Sequence, residues 1–192
     1  MLREFILKNR SYRRFVETEK ISTQTLVSLI DLARFSGSAA NRQPLRYYLI
    51  NQPNENGKVF DCLSWAGYLQ DWPGPAAGER PAAYIIIATR EEGKYLYTDL
   101  GIAAQSILLG AVEIGLGGCQ FGSVNRGQLK EFFPLLKEYE ILLVIALGQP
   151  REEIRLVEAK DDIRYWRDEN MVHYVPKRPL HELIINPGDS RI

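Results

Sequence analysis

Cysteine, histidine and net charge are what this sequence is short of. Two cysteines, Cys62 and Cys119, stand far apart in 192 residues and form no Cys-x-x-Cys pair. That removes a disulfide framework and a dithiol redox motif, and leaves two buried reduced thiols as the expectation. The two histidines, His173 and His181, are too few and too isolated for a metal centre. They are expected at surface or half-buried structural positions. With no Ser-His-Asp or Cys-His arrangement legible, no side chain is expected to act as a nucleophile. Lys plus Arg equals Asp plus Glu at 24 each, so the formal net charge is zero. A general nucleic-acid or membrane-surface role needs a basic excess and is set aside. No apolar run is long enough to span a bilayer. The first residues, Met-Leu-Arg-Glu-Phe-Ile-Leu-Lys, lack the apolar core and small-residue cleavage site of a signal peptide. The expectation is a cytoplasmic protein.

What is present is ordinary core material: 45% apolar residues in a length that suits one domain, residues 1–192. Helical spacing predicts a short first helix over 2–8 with Leu2, Phe5 and Ile6 inward. A second follows Ser22, a candidate N-cap, with Leu26, Leu29, Ile30 and Ala33 on one face. A short strand, 47–50, comes next. Asn51 to Gly57 reads as turn chemistry, before a helix carrying Val59, Phe60 and Leu63. The aromatic loop from Trp65 to Trp72 could wall a pocket or pin a surface. Residues 82–89 and 141–147 read as strands buried on both faces. Between them, 98–114 reads as a central helix whose Gly101, Ala103, Ala104 and Gly110 would admit another helix, naturally a second copy of the chain. Asn125 or Ser123 caps a short helix to Phe133. Short strands at 154–157, 163–166 and 172–175 are expected, the last two as a hairpin around Asp168-Glu169-Asn170. A closing helix follows Pro179.

Polar residues concentrate in three places. The stretch Phe35 to Pro44 reads Phe-Ser-Gly-Ser-Ala-Ala-Asn-Arg-Gln-Pro. Gly37 can end the preceding helix, the small residues admit a flat body, and Asn41 and Gln43 each offer a donor and an acceptor to the edge of a planar heterocycle. Near the start stands Asn9-Arg10-Ser11-Tyr12-Arg13-Arg14-Phe15, and near the end Val175-Pro176-Lys177-Arg178-Pro179-Leu180. The run Gly115 to Ser123 resembles a dinucleotide fingerprint at its start, but Gln120 replaces the third glycine and the run follows a helix.

Together these segments resemble the flavin-dependent nitroreductase family, with its Arg-Ser-x-Arg element, its Pro-Ser-x-x-Asn-x-Gln-Pro element and its basic Arg-Pro-Leu element, in the same order and roughly the same spacing. The resemblance implies an α+β fold, a central mostly antiparallel sheet flanked by helices, in a homodimer with FMN at its interface. It implies an oxidoreductase that takes a hydride from NAD(P)H and passes it to a nitroaromatic, a quinone or a similar acceptor in ping-pong order. The alternative on the same fold is a protein that binds or sequesters FMN with little turnover. The resemblance assigns Arg10, Ser11, Arg13, Ser38, Asn41, Gln43, Gly122, Ser123 and Arg178 to the cofactor. Arg10 and Arg178 would take the phosphate, helped by Lys177, and Ser11 the polyol or phosphate. Arg13 would face the pyrimidine end, Asn41 and Gln43 the polar ring edge. Gly122 and Ser123 would lay backbone groups beside the hydride-accepting nitrogen. Two departures stand out: Gly37 replaces the family's proline, and Gly122 replaces a glutamate found in one subgroup.

Overall fold

The structure, a computed structural model, describes residues 1–69 and 71–186. Gln70, within the Trp65–Trp72 loop, lies outside the described residues. The chain forms two compact units, Met1–Trp65 with Gly74–Arg151, and Ala66–Pro73 with the residues from Glu152 onward.

The layering of the first unit follows from the strand Ala83–Thr89. Its Ile-Ile-Ile run favours extended backbone, and each of its residues is buried. A strand buried on both faces needs a layer on each side. The sheet consists of β1 (Leu45–Ile50), β2 (Ala83–Thr89), β3 (Gly117–Phe121) and β4 (Glu140–Gly148) in the order β1-β2-β4-β3, with antiparallel pairing throughout. Ile85 and Ile87 point to one side, where Leu26 and Leu29 of α2 (Thr23–Phe35) meet Ile107 and Leu108 of α4 (Leu96–Glu113). Tyr84 and Ile86 point to the other, onto Val59 of α3 (Pro53–Phe60) and Leu129 of α5 (Arg126–Phe132). Both cysteines are buried thiols in this second layer.

Capping follows the sequence. Ser22 Oγ accepts from Thr25 N at 3.0 Å, and Asn125 Oδ1 accepts from Gln128 N at 3.1 Å, so Asn125 rather than Ser123 caps α5. Four expectations need correction. The Asn51–Gly57 segment is not a free turn: Pro53 starts α3, because its fixed φ suits a first helical position. The first helix, α1 (Leu2–Lys8), buries none of its residues in this chain, since only one side of it meets α4. Of the small residues of α4, Ala103, Ala104 and Gly110 are buried in the chain's own interior. Gly110 lies against Leu32 and Leu29 of α2, so closely that a Cβ there would collide with the Leu32 methyl, while Gly101 faces open space. Ile102 stands seven residues, two helical turns, before Leu109, and that spacing predicts a shared apolar face, yet Ile102 is 41% exposed. One further close approach fixes the N-terminal segment: fully buried Phe15 packs flat on Gly148, where a side chain would fall within 2.9 Å of the ring.

The second unit holds a three-stranded sheet, order β5-β7-β6, with β5 (Ile154–Glu158) parallel and β6 (Trp166–Arg167) antiparallel to β7 (His173–Lys177). The hairpin turns where expected. Asp168 Oδ1 accepts from Asn170 N at 3.0 Å and Val172 N at 2.9 Å, and Met171 takes φ 62°. His173 is fully buried, its ring 5.1 Å from that of Tyr165, which corrects the surface or half-buried expectation. Pro179 is the N-cap of the short helix α6 (Leu180–Leu183), whose leucines are exposed.

Candidate functional site

The loop after α2 is built on strained backbone. Its helix ends without using Gly37: Ser36 is extended, at φ −71° and ψ 158°, and its hydroxyl donates to Leu32 O at 2.9 Å. The left-handed conformation comes later, at Ala40 (φ 51°), Asn41 (φ 53°) and Gln43 (φ 51°). Each such residue with a Cβ carries a cost of about 1 kcal/mol or more, so something must over-determine the loop.

That something is Asp99, buried in the first turn of α4, where the helix dipole favours an anion. Ser38 Oγ donates to Asp99 Oδ2 at 2.7 Å and Ala39 N donates to Oδ1 at 3.0 Å. Gln43 N in turn donates to Ser38 Oγ at 2.9 Å, closing the loop across its base. Thr89 Oγ1, at the end of β2, donates to Pro44 O at 3.0 Å and fixes the exit. Gln43 Nε2 donates to Asn41 O at 3.2 Å and to Asn41 Oδ1 at 3.0 Å, which sets the two amides side by side at exposed positions. The Ser38 hydroxyl, assigned above to the cofactor, is used in building the loop. A cavity of about 270 Å³ borders it, lined by Ser38, Gln43, Pro44, Tyr47 and Asp99 among others.

The Arg10–Phe15 segment runs along the free edge of β3. Ser11 bridges Gly118 in parallel, and Tyr12 N donates to Gly118 O at 3.0 Å. Ser11 is exposed, whereas Arg13 is 9% exposed and donates from Nη1 to Ser11 O at 3.1 Å. Arg10 Nη2 donates to Ile6 O at 2.6 Å, its buried Nε has no partner among the described residues, and burial pushes its guanidinium below the usual arginine range. Arg14 grips Glu79 through two bonds, at 2.7 and 2.5 Å, and anchors the segment. Asn9 Nδ2 reaches Gln105 Oε1 at 3.3 Å. Gln105 and Asp99 are six residues apart on α4, so the segment and the loop hold to one helix about 9 Å apart along its axis.

Gly122 and Ser123 follow β3 at exposed positions. Nothing among the described residues lies within 4 Å of where a Gly122 Cβ would stand, so their packing does not demand glycine there. Arg126 holds this turn: its Nε donates to Ile141 O at 2.7 Å and its Nη2 to Gly122 O at 3.2 Å. Arg178 belongs to the second unit, where its Nη1 meets Glu182 Oε2 at 2.9 Å on an exposed face. Arg10, Ser11, Arg13, Ser38, Asn41, Gln43, Gly122 and Ser123 are thus all carried by the first unit.

Asp99 and Arg126 escaped the sequence reading. Each had a signal. Asp99 is the one charged residue in the apolar stretch from Leu96 to Val112. Arg126 opens a helix, where a cation opposes the dipole and needs another reason to be there.

The nitroreductase family model matches residues 6–66 and 61–149. No curated protein sequence gives a significant match. Among solved structures, the chain is similar to a nitroreductase family protein from Streptococcus pneumoniae TIGR4, with a TM-score of 0.70 and 14% identity over 97% of this chain and 100% of that one. It is similar to an FMN-dependent nitroreductase from Clostridium difficile R20291, at TM-score 0.63 and 21% identity over 82% and 91%. It is also similar to a putative NADH dehydrogenase/NAD(P)H nitroreductase from Parabacteroides distasonis ATCC 8503, at TM-score 0.63 and 17% identity over 86% and 96%. Those identities speak for a shared fold. The family model, which spans three quarters of the chain and both the Arg10 segment and the Asp99-held loop, goes further: the chain belongs to the nitroreductase family.

Proposed function

We propose that this protein is an FMN-dependent oxidoreductase, working as a homodimer, that takes a hydride from NAD(P)H and hands it to a nitroaromatic, a quinone or a similar small acceptor in ping-pong order. Family membership supports a general flavin oxidoreductase role. The observation that carries the reading is the loop from Ser38 to Pro44, whose strained backbone is held by a buried carboxylate and presents two exposed amides. Loops store such strain where a ligand needs fixed groups.

The residues present suit FMN. Arg10 keeps a buried Nε–H without a partner among the described residues, which suits a phosphate oxygen. The outward amides of Asn41 and Gln43 match a ring edge that both donates and accepts. The open space at Gly122 admits a flat ring against backbone. Bound FMN would supply the two-electron chemistry; the protein would bind, orient and tune it. Arg10 and Arg178 would hold the phosphate, with Ser11 on the polyol or phosphate. Arg13 would place a buried positive charge near the pyrimidine end and favour the electron-rich state of the ring. Ser38 would act through the loop it closes.

The test is the flavin itself. Heat-released cofactor from the purified protein, separated by chromatography, should be FMN. NADH or NADPH should bleach the visible absorbance, and an added quinone should restore it through repeated turnovers. FAD, or no flavin after reconstitution, would overturn the reading. Bleaching without turnover on any acceptor would leave a flavin-binding protein rather than an enzyme.

A further inference from the structure

A larger cavity lies at the other end of the sheet from the Asp99-held loop. It encloses about 600 Å³ between the N-terminus of α3, the turn before β2 and the residues after Phe15. Three side chains that line it, Asn56, Arg80 and Tyr84, each keep a buried polar atom with no partner among the described residues: Oδ1, Nε and the phenolic oxygen. Tyr84 is fully buried. Burying a polar group unpaired costs a fold about 1–3 kcal/mol, so three such atoms, in residues that line one cavity, call for a reason. The flavin reading does not supply it. Tyr84 stands five residues from Thr89 along β2, about 17 Å from the Asp99-held loop. It lies three strand spacings, about 14 Å, from Ser11 beside β3.

The three atoms specify a chemistry. Asn56 Nδ2 donates to Ala82 O at 2.7 Å, which fixes the amide with Oδ1 as an acceptor in need of a donor. Arg80 Nε–H needs an acceptor, and its guanidinium is braced over the Phe60 ring at 4.1 Å. The Tyr84 hydroxyl can serve either way. Charges of both signs line the cavity: Lys20 and Arg80 against Glu17, whose Oε2 accepts from Gly78 N and Arg80 N. A simple anion would leave Asn56 Oδ1 unpaired and meet Glu17. A simple cation would leave Arg80 unmatched. A molecule that carries both groups next to each other satisfies all three atoms.

We propose that this cavity is a second ligand site, separate from the flavin site, for a small zwitterion of the amino-acid type. Its carboxylate accepts from Arg80 and Tyr84, and its ammonium group donates to Asn56 Oδ1 with Glu17 nearby. Because the three atoms are buried, entry of the ligand goes with a swing of Arg80 from its place on Phe60.

The experiment is saturation-transfer NMR on the purified, flavin-loaded protein with the twenty protein amino acids at millimolar concentration, each binder then titrated. At least one amino acid should bind, and acetate or methylamine alone should bind far more weakly. Tyr84→Phe removes one oxygen and keeps the ring. It should weaken the amino acid roughly tenfold to a hundredfold, the size of a lost charge-assisted hydrogen bond, with flavin content and turnover unchanged. Arg80→Gln should do the same. No amino acid binding, binding indifferent to both substitutions, or acetate binding as well as the amino acid would each overturn the proposal. Flavin content and bleaching by NAD(P)H report the flavin reading separately, so either can fail alone.

Discussion

The two ends of β1 are built on opposite terms. At its start, the loop from Ser38 to Pro44 has every key polar group engaged, by Asp99, Ser38 and Thr89, while its backbone sits three times in the left-handed region. Past its end, around Asn51 and Tyr84, the backbone is relaxed and the unmet cost lies in side chains: three buried polar atoms without partners among the described residues. One site holds its groups ready by clamping the chain. The other leaves hydrogen-bonding capacity open inside a cavity. Substitutions that release the clamp, or that remove the open capacity, should therefore act with opposite signs.

Asp99→Ala gives the largest effect. It strands the Ser38 hydroxyl and the Ala39 N–H together, a loss of about 3 kcal/mol from groups bonded to a buried charge. Most of that should appear as local release of the loop rather than global unfolding. Hydrogen exchange of residues 38–43 should rise steeply, and affinity for FMN should fall, with melting of the sheet little changed. If the loop amides stay as protected as in the parent chain, Asp99 is not what holds the strain.

Next come the arginines of the N-terminal segment. Arg13 is buried in the chain and Arg10 keeps an unpartnered Nε, so they should do different work. With Arg13 facing the pyrimidine end, Arg13→Gln should lower the midpoint potential of the bound flavin by roughly 30–60 mV, about 1.4–2.8 kcal/mol for a two-electron couple. Arg10→Gln should weaken FMN in both redox states and leave the potential alone. A redox titration of both variants against a reference dye decides. A shift with Arg10→Gln and none with Arg13→Gln would exchange their roles.

Much of this architecture was legible beforehand, for identifiable reasons. The Ile-Ile-Ile run of β2 and the i, i+3, i+4, i+7 pattern of α2 carry their burial in their spacing, and both layers followed. The Asp168 hairpin carried its turn chemistry. What stayed hidden was long-range. No local rule says that the Gly110 gap is filled by Leu32 of the same chain rather than by a second subunit. Nor does one place Asp99 under a loop some sixty residues earlier in the chain. Left-handed Ala40, Asn41 and Gln43 were invisible because glycine was the residue expected to take that conformation, and Gly37 does not. The site's polar amides were readable from residue type alone; the clamp that aims them was not.

Ala40→Gly tests the strained side of the comparison with a smaller effect. At φ 51° glycine pays no steric cost where alanine does. The gain in the folded state is about 1 kcal/mol, partly offset by the greater freedom of the unfolded chain. Stability should change little or rise slightly, and FMN affinity should hold. A clear loss of stability would mean that the Ala40 methyl packs against something the strain argument leaves out.

Tyr84→Phe tests the other side and is the smallest change expected. In the parent chain the hydroxyl is buried with no partner, so removing it takes away a desolvation cost and only one oxygen's worth of contact. Without added ligand, the variant should be more stable by about 0.5–1 kcal/mol, a rise in Tm of roughly 1–4 °C for a chain of this size. An amino acid that binds only the folded protein adds stability in proportion to the logarithm of its saturation. The parent chain should therefore gain on addition and the variant should not, so the order of their melting temperatures closes or inverts. A variant that melts lower than the parent in the absence of any amino acid would show that the hydroxyl already has a partner within the chain. The cavity at this end of β1 would then hold no open capacity, and the contrast with the Asp99-held loop would disappear.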